Sequence, residues 1–341
     1  MNGTRVSFAP RFRRALSLGI LVFVTAAACG DAEDPGGQAA DGSGELRKVT
    51  LILGWLAEPS RGGFYSALQE GYYEDVGLDV RLVPGIDVSA VQVVASGGAD
   101  FALGDSDEIL NARSKDIPLV AVLGTFQTSP RLLVYHQSNP VATFDELDGK
   151  IVYLDLGDEW WEYIKTNEQL SGVEERAFND RAFLQEPDTV IQGYAGDTAL
   201  YNGITGDEFG AIFVADSGYN PYTNAVFTTE QYLADNPEVV RDFVAASVKG
   251  WEDYKENPES ANEYMQQFNP EYPIEQMDAT AVEQEELIYG GDASSNGIGY
   301  MTEERWTEML NALQQVGVID ESIQIEVTDA FTNEYLPGSE G

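Results

Sequence analysis

Cysteine and histidine are almost absent from this 341-residue sequence, which contains only Cys29 and His136. A chain with one cysteine can form no internal disulfide, so its stability must come from packing. A serine-histidine-aspartate triad would have to use His136, and no GxSxG motif accompanies that residue. With so few sulfur and imidazole ligands, the usual spacings of a zinc site are also excluded.

Positive charge is scarce as well, because 19 Lys and Arg residues face 58 Asp and Glu residues, giving a formal net charge of -39. No basic stripe exists, which argues against nucleic acid and against anionic lipid as partners. The acidic groups around 105–108 and 155–159 could hold calcium, but neither has EF-hand spacing. A solvated acidic surface is favoured, and the sequence predicts no metal and no cofactor.

The first 28 residues have the features of an export signal. Four arginines and no acidic residue precede an apolar run from Ala15 to Ala28. This run of about fourteen residues is short of the roughly twenty that a membrane-spanning helix needs. A basic segment, a short apolar run and small residues at its end predict a secretory signal peptide over residues 1–28.

The cysteine that follows these small residues predicts a lipid anchor. Cys29 occupies the place of the acylated cysteine in a segment that resembles the bacterial lipobox, with Ala26 where that pattern prefers Leu. Ordinary signal cleavage with an incidental Cys29 is the alternative, whereas Arg13-Arg14 fits a twin-arginine signal poorly. Residues 29–45 are rich in Gly, Ala and Asp without a large apolar residue, so they predict a flexible tether.

After the tether, short apolar runs alternate with helical patterns, as they do in an α/β fold. Strands are predicted over 47–55, 101–103 and 119–123, and a helix over 64–76. Because strands alternate with helices, parallel pairing is expected. The length after residue 46, roughly 295 residues, is typical of two domains rather than one.

Two strands are predicted to cross between the domains. One runs from Arg131 to Tyr135 and leaves the first domain, and the other runs from Ala225 to Thr228 and returns to it. The first domain is therefore predicted to be discontinuous, at 46–131 plus 226–341, and the second to span 132–225. Two crossing segments form a hinge with a cleft beside it, and clefts at domain interfaces are common sites for small ligands.

Four stretches in the same order resemble one family over nearly all of the chain after the signal. They are a strand ending at Trp55 with GYYEDVGLDVRLVPG after it, VVASGGADFALGDSDEIL, FDELDGKIVYLDLG, and DSGYNPYTNAVFTTEQYLADNPEVVRDFVAASVKGWEDYKENP. The last of these is the most specific. The sequence is similar to the solute-binding proteins of ABC importers, in the group of thiamine-pyrimidine-precursor, riboflavin and alkanesulfonate/nitrate/taurine binders.

The resemblance implies a type 2 periplasmic-binding-protein fold, in which two α/β lobes joined by a two-segment hinge close on a ligand in the cleft between them. It implies a monomer without a cofactor that delivers a small organic, heteroaromatic solute to a membrane permease and through it to an ATPase. It also implies an extracytoplasmic location at the cell membrane, through the lipid on Cys29.

Several positions depart from the family pattern. Pyrimidine-precursor binders have Asn and His shortly after the tryptophan, where this sequence has Glu58 and Arg61. They also have a Glu-Pro pair after the Gly-Tyr of the second lobe, which the segment from Gly193 to Ala199 lacks. The related pyrimidine synthases have a cysteine-rich motif and an essential histidine, and both are missing here. The cleft frame is therefore expected to be retained while several polar contacts differ.

Aromatic and polar residues near strand ends are the candidate ligand contacts. Ligands of open α/β sheets lie beyond the carboxyl ends of strands, where Trp55 could stack on a flat ring. Arg61 could add a bidentate charge contact, and Gly62 precedes a helix whose free amides suit an anion or a carbonyl. The further candidates are Glu58, Asp105, Ser106, Gln127, Trp160, Trp161, Tyr194, Asp197, Tyr219 and Tyr222.

Each candidate residue also has a possible structural role, and the protein has two alternative functions. Trp55 could lie in the core, Arg61 in solvent, and Ser106 at the start of a helix as its cap. Trp160 and Trp161 are adjacent, so only one of them is expected to reach the cleft. The alternatives to a transport function are an extracytoplasmic enzyme on the same fold and a ligand-sensing lipoprotein that signals to a membrane receptor.

Overall fold

The computed structural model describes residues 45–85 and 89–339. Cys29, the signal predicted over 1–28 and all but the last residue of the tether predicted over 29–45 lie outside the described residues. Of the helices in the described part of the chain, none combines the length and the apolarity that crossing a membrane requires.

Two five-stranded sheets organise the described residues. Their strands, numbered in chain order, are β1 (Arg47–Ile52), β2 (Leu78–Val83), β3 (Phe101–Gly104), β4 (Leu119–Phe126), β5 (Arg131–His136), β6 (Ile151–Leu154), β7 (Glu174–Ala177), β8 (Thr189–Tyr194), β9 (Phe209–Phe213) and β10 (Thr223–Thr229). The α-helices are α1 (Gly62–Gln69), α2 (Tyr72–Asp75), α3 (Ala90–Ala95), α4 (Ser106–Arg113), α5 (Glu159–Glu168), α6 (Asp180–Phe183), α7 (Asp197–Thr205), α8 (Glu230–Asp235), α9 (Pro237–Glu256), α10 (Pro258–Gln266), α11 (Ile274–Tyr289), α12 (Ala293–Asn296) and α13 (Glu303–Gln315).

Each sheet mixes parallel and antiparallel pairing. The first has the order β2-β1-β3-β10-β4, with β1 parallel to β2 and β3, and β10 antiparallel to β3 and β4. The second has the order β7-β6-β8-β5-β9, with β6 parallel to β7 and β8, and β5 antiparallel to β8 and β9. Parallel pairing is therefore confirmed among β1, β2 and β3 and among β6, β7 and β8. It is wrong for β5 and β10, which enter directly from the other sheet without an intervening α-helix, and for the edge strands β4 and β9, which pair with them.

Two connections carry the chain between the sheets. Residues 127–130 link β4 to β5, and residues 214–222 link β9 to β10. The two crossing strands predicted from the sequence are these β5 and β10, so the expected fold of two α/β parts joined by two segments is confirmed. The domain limits placed at residues 131 and 226 stay predictions.

A close approach of α1 to the long helix α9 anchors the first sheet. A Cβ on Gly250 would lie 2.6 Å from Ala67 Cβ and would overlap the carbonyl oxygen of Gly63. Gly63 in turn lies against the ring of Trp251, which is fully buried together with Phe243. The apolar face of α9 is thus part of the core, and its contact with α1 fixes the chain that follows β1.

The single helix predicted over 64–76 is interrupted. α1 ends at Gln69 and α2 begins at Tyr72, with Gly71 between them at a φ of 76°. Glycine adopts this left-handed conformation without strain, but a continuous α-helix cannot contain it. The apolar periodicity continues across the break, which is why the sequence pattern predicts one helix.

Candidate functional site

A cavity of about 590 Å³ is lined by residues from both sheets. The parallel strands point their carboxyl ends toward it, so residues that follow β1, β3, β6 and β8 supply much of its wall. The lining residues are Gly54, Trp55, Glu58, Arg61, Asp105, Arg131, Asp155, Asp158, Phe178, Gln192, Gly193, Tyr194, Asp197, Tyr201, Thr223 and Asn224.

The crossing strands β5 and β10 run antiparallel to their neighbours, so their first residues lie beside the carboxyl ends of the parallel strands. Arg131, the first residue of β5, pairs with Tyr194, the last residue of β8. Ala225, near the start of β10, pairs with Gly104, the last residue of β3. The cavity therefore lies at the strand ends where open α/β sheets bind their ligands.

Three aromatic side chains present exposed faces to the cavity. Trp55 is 48% exposed, Phe178 is 47% exposed and Tyr194 is 39% exposed. Trp55 follows a strand of the first sheet, whereas Phe178 and Tyr194 belong to the second. Large aromatic surfaces left open from two sides of one cavity are suited to hold a flat ring between them.

Arg131 lies at the inner wall and is held by the protein itself. Its guanidinium carbon is 5.4 Å from the ring centroid of Trp160 and 5.1 Å from that of Tyr194. Its Nη1 is 3.6 Å from Asp158 Oδ2, which also accepts a 2.8 Å hydrogen bond from Trp160 Nε1. Two ring faces and one carboxylate therefore position Arg131 without a ligand.

Arg61 is engaged in the same way. Its Nη1 donates to Glu58 Oε1 at 2.6 Å, and its Nε donates to the Leu53 carbonyl oxygen at 3.3 Å. Ser60 Oγ contacts the same guanidinium and donates to Glu58 Oε1 at 2.7 Å. A bidentate contact between Arg61 and a ligand would therefore compete with the ion pair to Glu58.

A smaller recess of about 270 Å³ adjoins the cavity and is lined in part by Asp105 and Glu108 at the start of α4. The Asp105 amide donates to Glu108 Oε2, and the Asn224 amide donates to Asp105 Oδ1, both at 3.1 Å. Burial, with the charge of Asp107 beside it, raises the pKa of Asp105 to about 6. Burial and the charges of Asp105 and Asp107 raise the pKa of Glu108 to about 8.

Two further carboxylates stand on the wall supplied by the second sheet. Asp155 Oδ2 accepts a 2.5 Å hydrogen bond from Gln192 Nε2, whose Oε1 accepts from the Asp155 amide at 2.8 Å. Asp197 Oδ2 accepts from the Tyr194 amide at 2.7 Å. Burial raises the pKa of Asp197 to about 6, and the charge of Glu58 acts in the same direction, although the Tyr194 amide opposes it.

Replacing Asp197 with Asn should stabilise the ligand-free protein at pH 8 but not at pH 4.5. The folded-state pKa of Asp197, about 6, lies above its ordinary value of 3.8. The stability that this carboxyl contributes is complete below pH 4 and is lost as the pH rises through 6. Because the side chain is only partly buried, we expect a gain of about 1 kcal/mol at pH 8, or about 2 °C in Tm.

Thermal unfolding at the two pH values checks this expectation. The substituted asparagine retains an oxygen that can accept from the Tyr194 amide, so the comparison isolates the charge. Asp79→Asn, which removes an exposed carboxylate from β2, is the matched control and should show no pH-dependent gain. An Asp197→Asn protein that gains equally at both pH values, or loses stability at pH 8, contradicts the assignment.

Six of the predicted ligand contacts line the cavity, and seven lie elsewhere. The six are Trp55, Glu58, Arg61, Asp105, Tyr194 and Asp197, whose contact with a ligand remains a prediction.

The glycine and the serine predicted near the helix starts have other partners. The Gly62 amide donates to the Pro59 carbonyl oxygen, and a Cβ on Gly62 would overlap the ring of Tyr254, so Gly62 is a packing position. Ser106 is buried, its amide donates to the Tyr222 carbonyl oxygen at 3.0 Å, and its Oγ accepts from the Tyr222 amide at 3.1 Å. Ser106 and Tyr222 therefore join α4 to β10.

Four more predicted contacts are buried in the protein. Gln127 Nε2 donates to two backbone carbonyl oxygens, 3.1 Å and 3.0 Å away, and Tyr219 Oη donates to Asp107 Oδ2 at 2.6 Å. Trp161 is fully buried in the core, and Trp160 lies behind Arg131 rather than on the cavity surface. Neither tryptophan of the pair reaches the cavity wall.

The cavity lining also includes residues that are not predicted from the sequence as ligand contacts. Asp155 and Asp158 belong to a group interpreted as acidic surface, and Arg131 is predicted only as the start of a crossing strand. Phe178 follows β7, a short and partly exposed strand without an apolar run, so no pattern points to it. The others are Gly54, Gln192, Gly193, Tyr201, Thr223 and Asn224.

His136 lies away from the cavity, in a packing position. Its Nε2 is 2.9 Å from the Phe183 carbonyl oxygen, and its ring centroid is 4.7 Å from that of Phe183 and 4.6 Å from that of Phe209. Within 45–85 and 89–339, no group of three or more His, Cys, Asp or Glu residues is arranged to hold a metal ion.

The arrangement of the two sheets is the fold of periplasmic binding proteins. The nitrate-binding protein NrtA from Synechocystis PCC 6803 is a solved example, which aligns with 85% of this chain and 87% of its own at a TM-score of 0.62 and 11% identity. At that identity the likeness concerns the fold alone.

The sequence comparison is more specific than the fold. The model of the NMT1/THI5 like family matches residues 58–261, which is more than half of the chain, and this protein belongs to that family. The riboflavin-binding protein RibY from Chloroflexus aurantiacus is 26% identical, covering 95% of this chain and 98% of its own. The formylaminopyrimidine-binding protein from Halalkalibacterium halodurans is 25% identical, covering 84% and 90%.

Two relatives carry the name of an enzyme, and one of them aligns over most of this chain. A 4-amino-5-hydroxymethyl-2-methylpyrimidine phosphate synthase from Legionella pneumophila is 21% identical, covering 85% of this chain and 92% of its own. Among the relatives that match this chain, some are therefore named as binding proteins and others as synthases.

Proposed function

We propose that this protein is an extracytoplasmic solute-binding lipoprotein of an ABC importer, and that its cavity captures a small, flat heteroaromatic solute for a membrane permease. The observation that carries the proposal is the pair of half-exposed aromatic side chains, Trp55 and Phe178, which different sheets contribute to one cavity. Aromatic faces open to a cavity of this size suit a ring that stacks between them.

The relatives support the same ligand class. RibY is named for riboflavin and the Halalkalibacterium halodurans protein for a formylaminopyrimidine, and both names describe flat nitrogen heterocycles. The export signal predicted over 1–28 and the lipid predicted on Cys29 would hold the protein outside the cytoplasm, where an importer receives its solute. Closure of the two α/β parts would then be driven by tighter ligand binding in the closed state.

The enzyme alternative rests on the two relatives named as synthases, and the cavity lining in the described part of the chain contains neither histidine nor cysteine. The sequence has one histidine, and His136 packs between two phenylalanines outside the lining. Cys29 is the only cysteine, and the lipid anchor would consume its thiol. The polar groups on the cavity wall are carboxylates, amides, hydroxyls and two arginines, which suit binding and orientation of a ring.

A thermal-shift screen tests the proposal. The panel contains riboflavin, 4-amino-5-hydroxymethyl-2-methylpyrimidine, thiamine, an alkanesulfonate, nitrate and amino acids. A ligand at one hundred times its Kd should add about 2.7 kcal/mol of stability and raise Tm by a few degrees. We expect this shift with at least one of the heterocycles. No shift with any heterocycle, together with turnover of a substrate, would replace the transport proposal by the enzyme.

A further inference from the structure

Negative charge dominates the cavity wall. Among its lining residues are five carboxylates and two guanidinium groups: Glu58, Asp105, Asp155, Asp158, Asp197, Arg61 and Arg131. A pocket built for a sulfonate, a phosphate or nitrate needs cationic or N–H donors that are free to face the anion. Such a ligand would therefore require at least one of the two arginines to be available.

Both arginines already have a carboxylate partner. Arg61 Nη1 is 2.6 Å from Glu58 Oε1, and Arg131 Nη1 is 3.6 Å from Asp158 Oδ2. Arg131 is further confined by the ring of Tyr194 at 5.1 Å. Each pair cancels one positive and one negative charge, so the two arginines leave no net positive charge for a ligand.

Three carboxylates remain after this pairing. In the described part of the chain, neither cavity arginine forms an ion pair with Asp105, Asp155 or Asp197. Their hydrogen-bond donors are neutral: the Asn224 amide, the Gln192 side chain and a backbone amide of the second sheet. Arg131 and Arg61 act on Asp105 without contacting it and lower its pKa, but burial outweighs them and raises the pKa of Asp105, like that of Asp197, to about 6, so both are mostly ionised at pH 7.

The aromatic residues favour the same kind of ligand. Trp55 and Phe178 line the cavity and are each about half exposed, and an aromatic face attracts a cation that lies over it. Aromatic side chains that stack on the faces of a ligand ring, with carboxylates beside its edge, together favour a flat ligand with positive charge.

We infer that the solute of this cavity is a planar nitrogen heterocycle that carries a positive charge, and that the phosphorylated or sulfonated form of the same ring is rejected. This inference rests on the proposed function, since it specifies the ligand class of the same cavity. It separates this protein from its fold neighbour NrtA, whose name states that it binds nitrate, an anion.

A series of three compounds on one ring tests the inference. Each is a 4-amino-2-methylpyrimidine that carries hydroxymethyl, aminomethyl or phosphorylated hydroxymethyl at position 5, so that the charge changes while the ring does not. Affinities are measured by calorimetry at pH 7 with the purified protein. The aminomethyl compound, as an ammonium, should bind at least tenfold more tightly than the hydroxymethyl compound, and the phosphate at least tenfold more weakly.

A variant that removes one carboxylate charge tests whether the preference for the ammonium compound arises in the cavity. Asp105→Asn keeps a residue that begins a helix as well as Asp does, so α4 should be retained. We expect it to reduce the ratio of the affinities for the ammonium and hydroxymethyl compounds threefold or more. Asp79→Asn, on the exposed side of β2, is the matched control and should leave the preference unchanged.

Riboflavin in the same titrations separates the inference from the proposed function. If riboflavin or the hydroxymethyl compound binds as tightly as the ammonium compound, the preference for positive charge is wrong and the proposed function stands. Tighter binding of the phosphate would also overturn the inference. If no compound binds, the inference and the proposed function both fail.

Discussion

Replacing Trp55 with Ala should weaken binding of the preferred solute by ten- to a hundredfold. Stacking of a ring on an aromatic side chain contributes about 1–3 kcal/mol, and Trp55 offers the largest open ring face in the cavity. Because Trp55 is 48% exposed and lies beyond the end of β1, its loss should change the Tm of the ligand-free protein by no more than about 1 °C. Calorimetric titration with the compound that gives the largest thermal shift measures the effect.

The chain offers a matched control for this variant. Phe268 is 52% exposed, belongs like Trp55 to the first domain predicted at 46–131 plus 226–341, and is absent from the cavity lining, so Phe268→Ala should leave the affinity unchanged. Trp55→Phe retains a ring and should keep most of the affinity. Equal losses in Trp55→Ala and Phe268→Ala, or full affinity in Trp55→Ala, would show that the solute does not stack on Trp55.

Replacing Gly250 with Ala should destabilise the fold, although the same change stabilises most helices. Within an α-helix, Ala is about 1 kcal/mol more favourable than Gly. At Gly250 the added Cβ would overlap the carbonyl oxygen of Gly63 and lie 2.6 Å from Ala67 Cβ. The backbone of α1 cannot rotate away as a side chain can, so α1 and α9 must separate. We expect a net loss of about 2 kcal/mol and a fall in Tm of about 5 °C.

Chemical denaturation of the variant measures this loss. Glu252→Ala, at an exposed position two residues further along α9, is the control for the helix itself and should change stability by less than about 0.5 kcal/mol. A Gly250→Ala protein that is as stable as the parent would mean that α1 and α9 are further apart than the structure has them.

Most strands and helices of the fold could be predicted from the sequence because the patterns that indicate them are local. The apolar run from Leu119 to Leu123 predicts a strand, and the structure extends it to Phe126 with every residue buried. The apolar residues of α9 recur at helical spacing because one face of that helix is buried. The break at Gly71 was not predictable from periodicity, because the apolar positions stay in phase across it. The antiparallel pairing of β5 and β10 depends on where distant segments meet, which no window of sequence contains.

The candidate site could be predicted only in part, because local patterns show which residues follow strands but not which distant segments meet. Trp55 and Asp105 follow recognisable strands, so the rule about carboxyl ends leads to them. Tyr219 and Trp161 are aromatic like Trp55, so the sequence does not distinguish them from cavity residues. Their burial depends on partners far along the chain, such as Asp107 for Tyr219. Phe178 follows a strand whose four residues are not buried, and its place on the cavity wall is visible only in three dimensions.

A crystal structure of the protein with the compound that gives the largest thermal shift tests the central claim most directly. We predict that the ring of the compound lies between Trp55 and Phe178, within stacking distance of at least one of them, and that its polar edge faces Asp105, Asp155 or Asp197. A ring bound elsewhere, or bound in this cavity with an anionic group against Arg61 or Arg131, would contradict the proposed mode of binding.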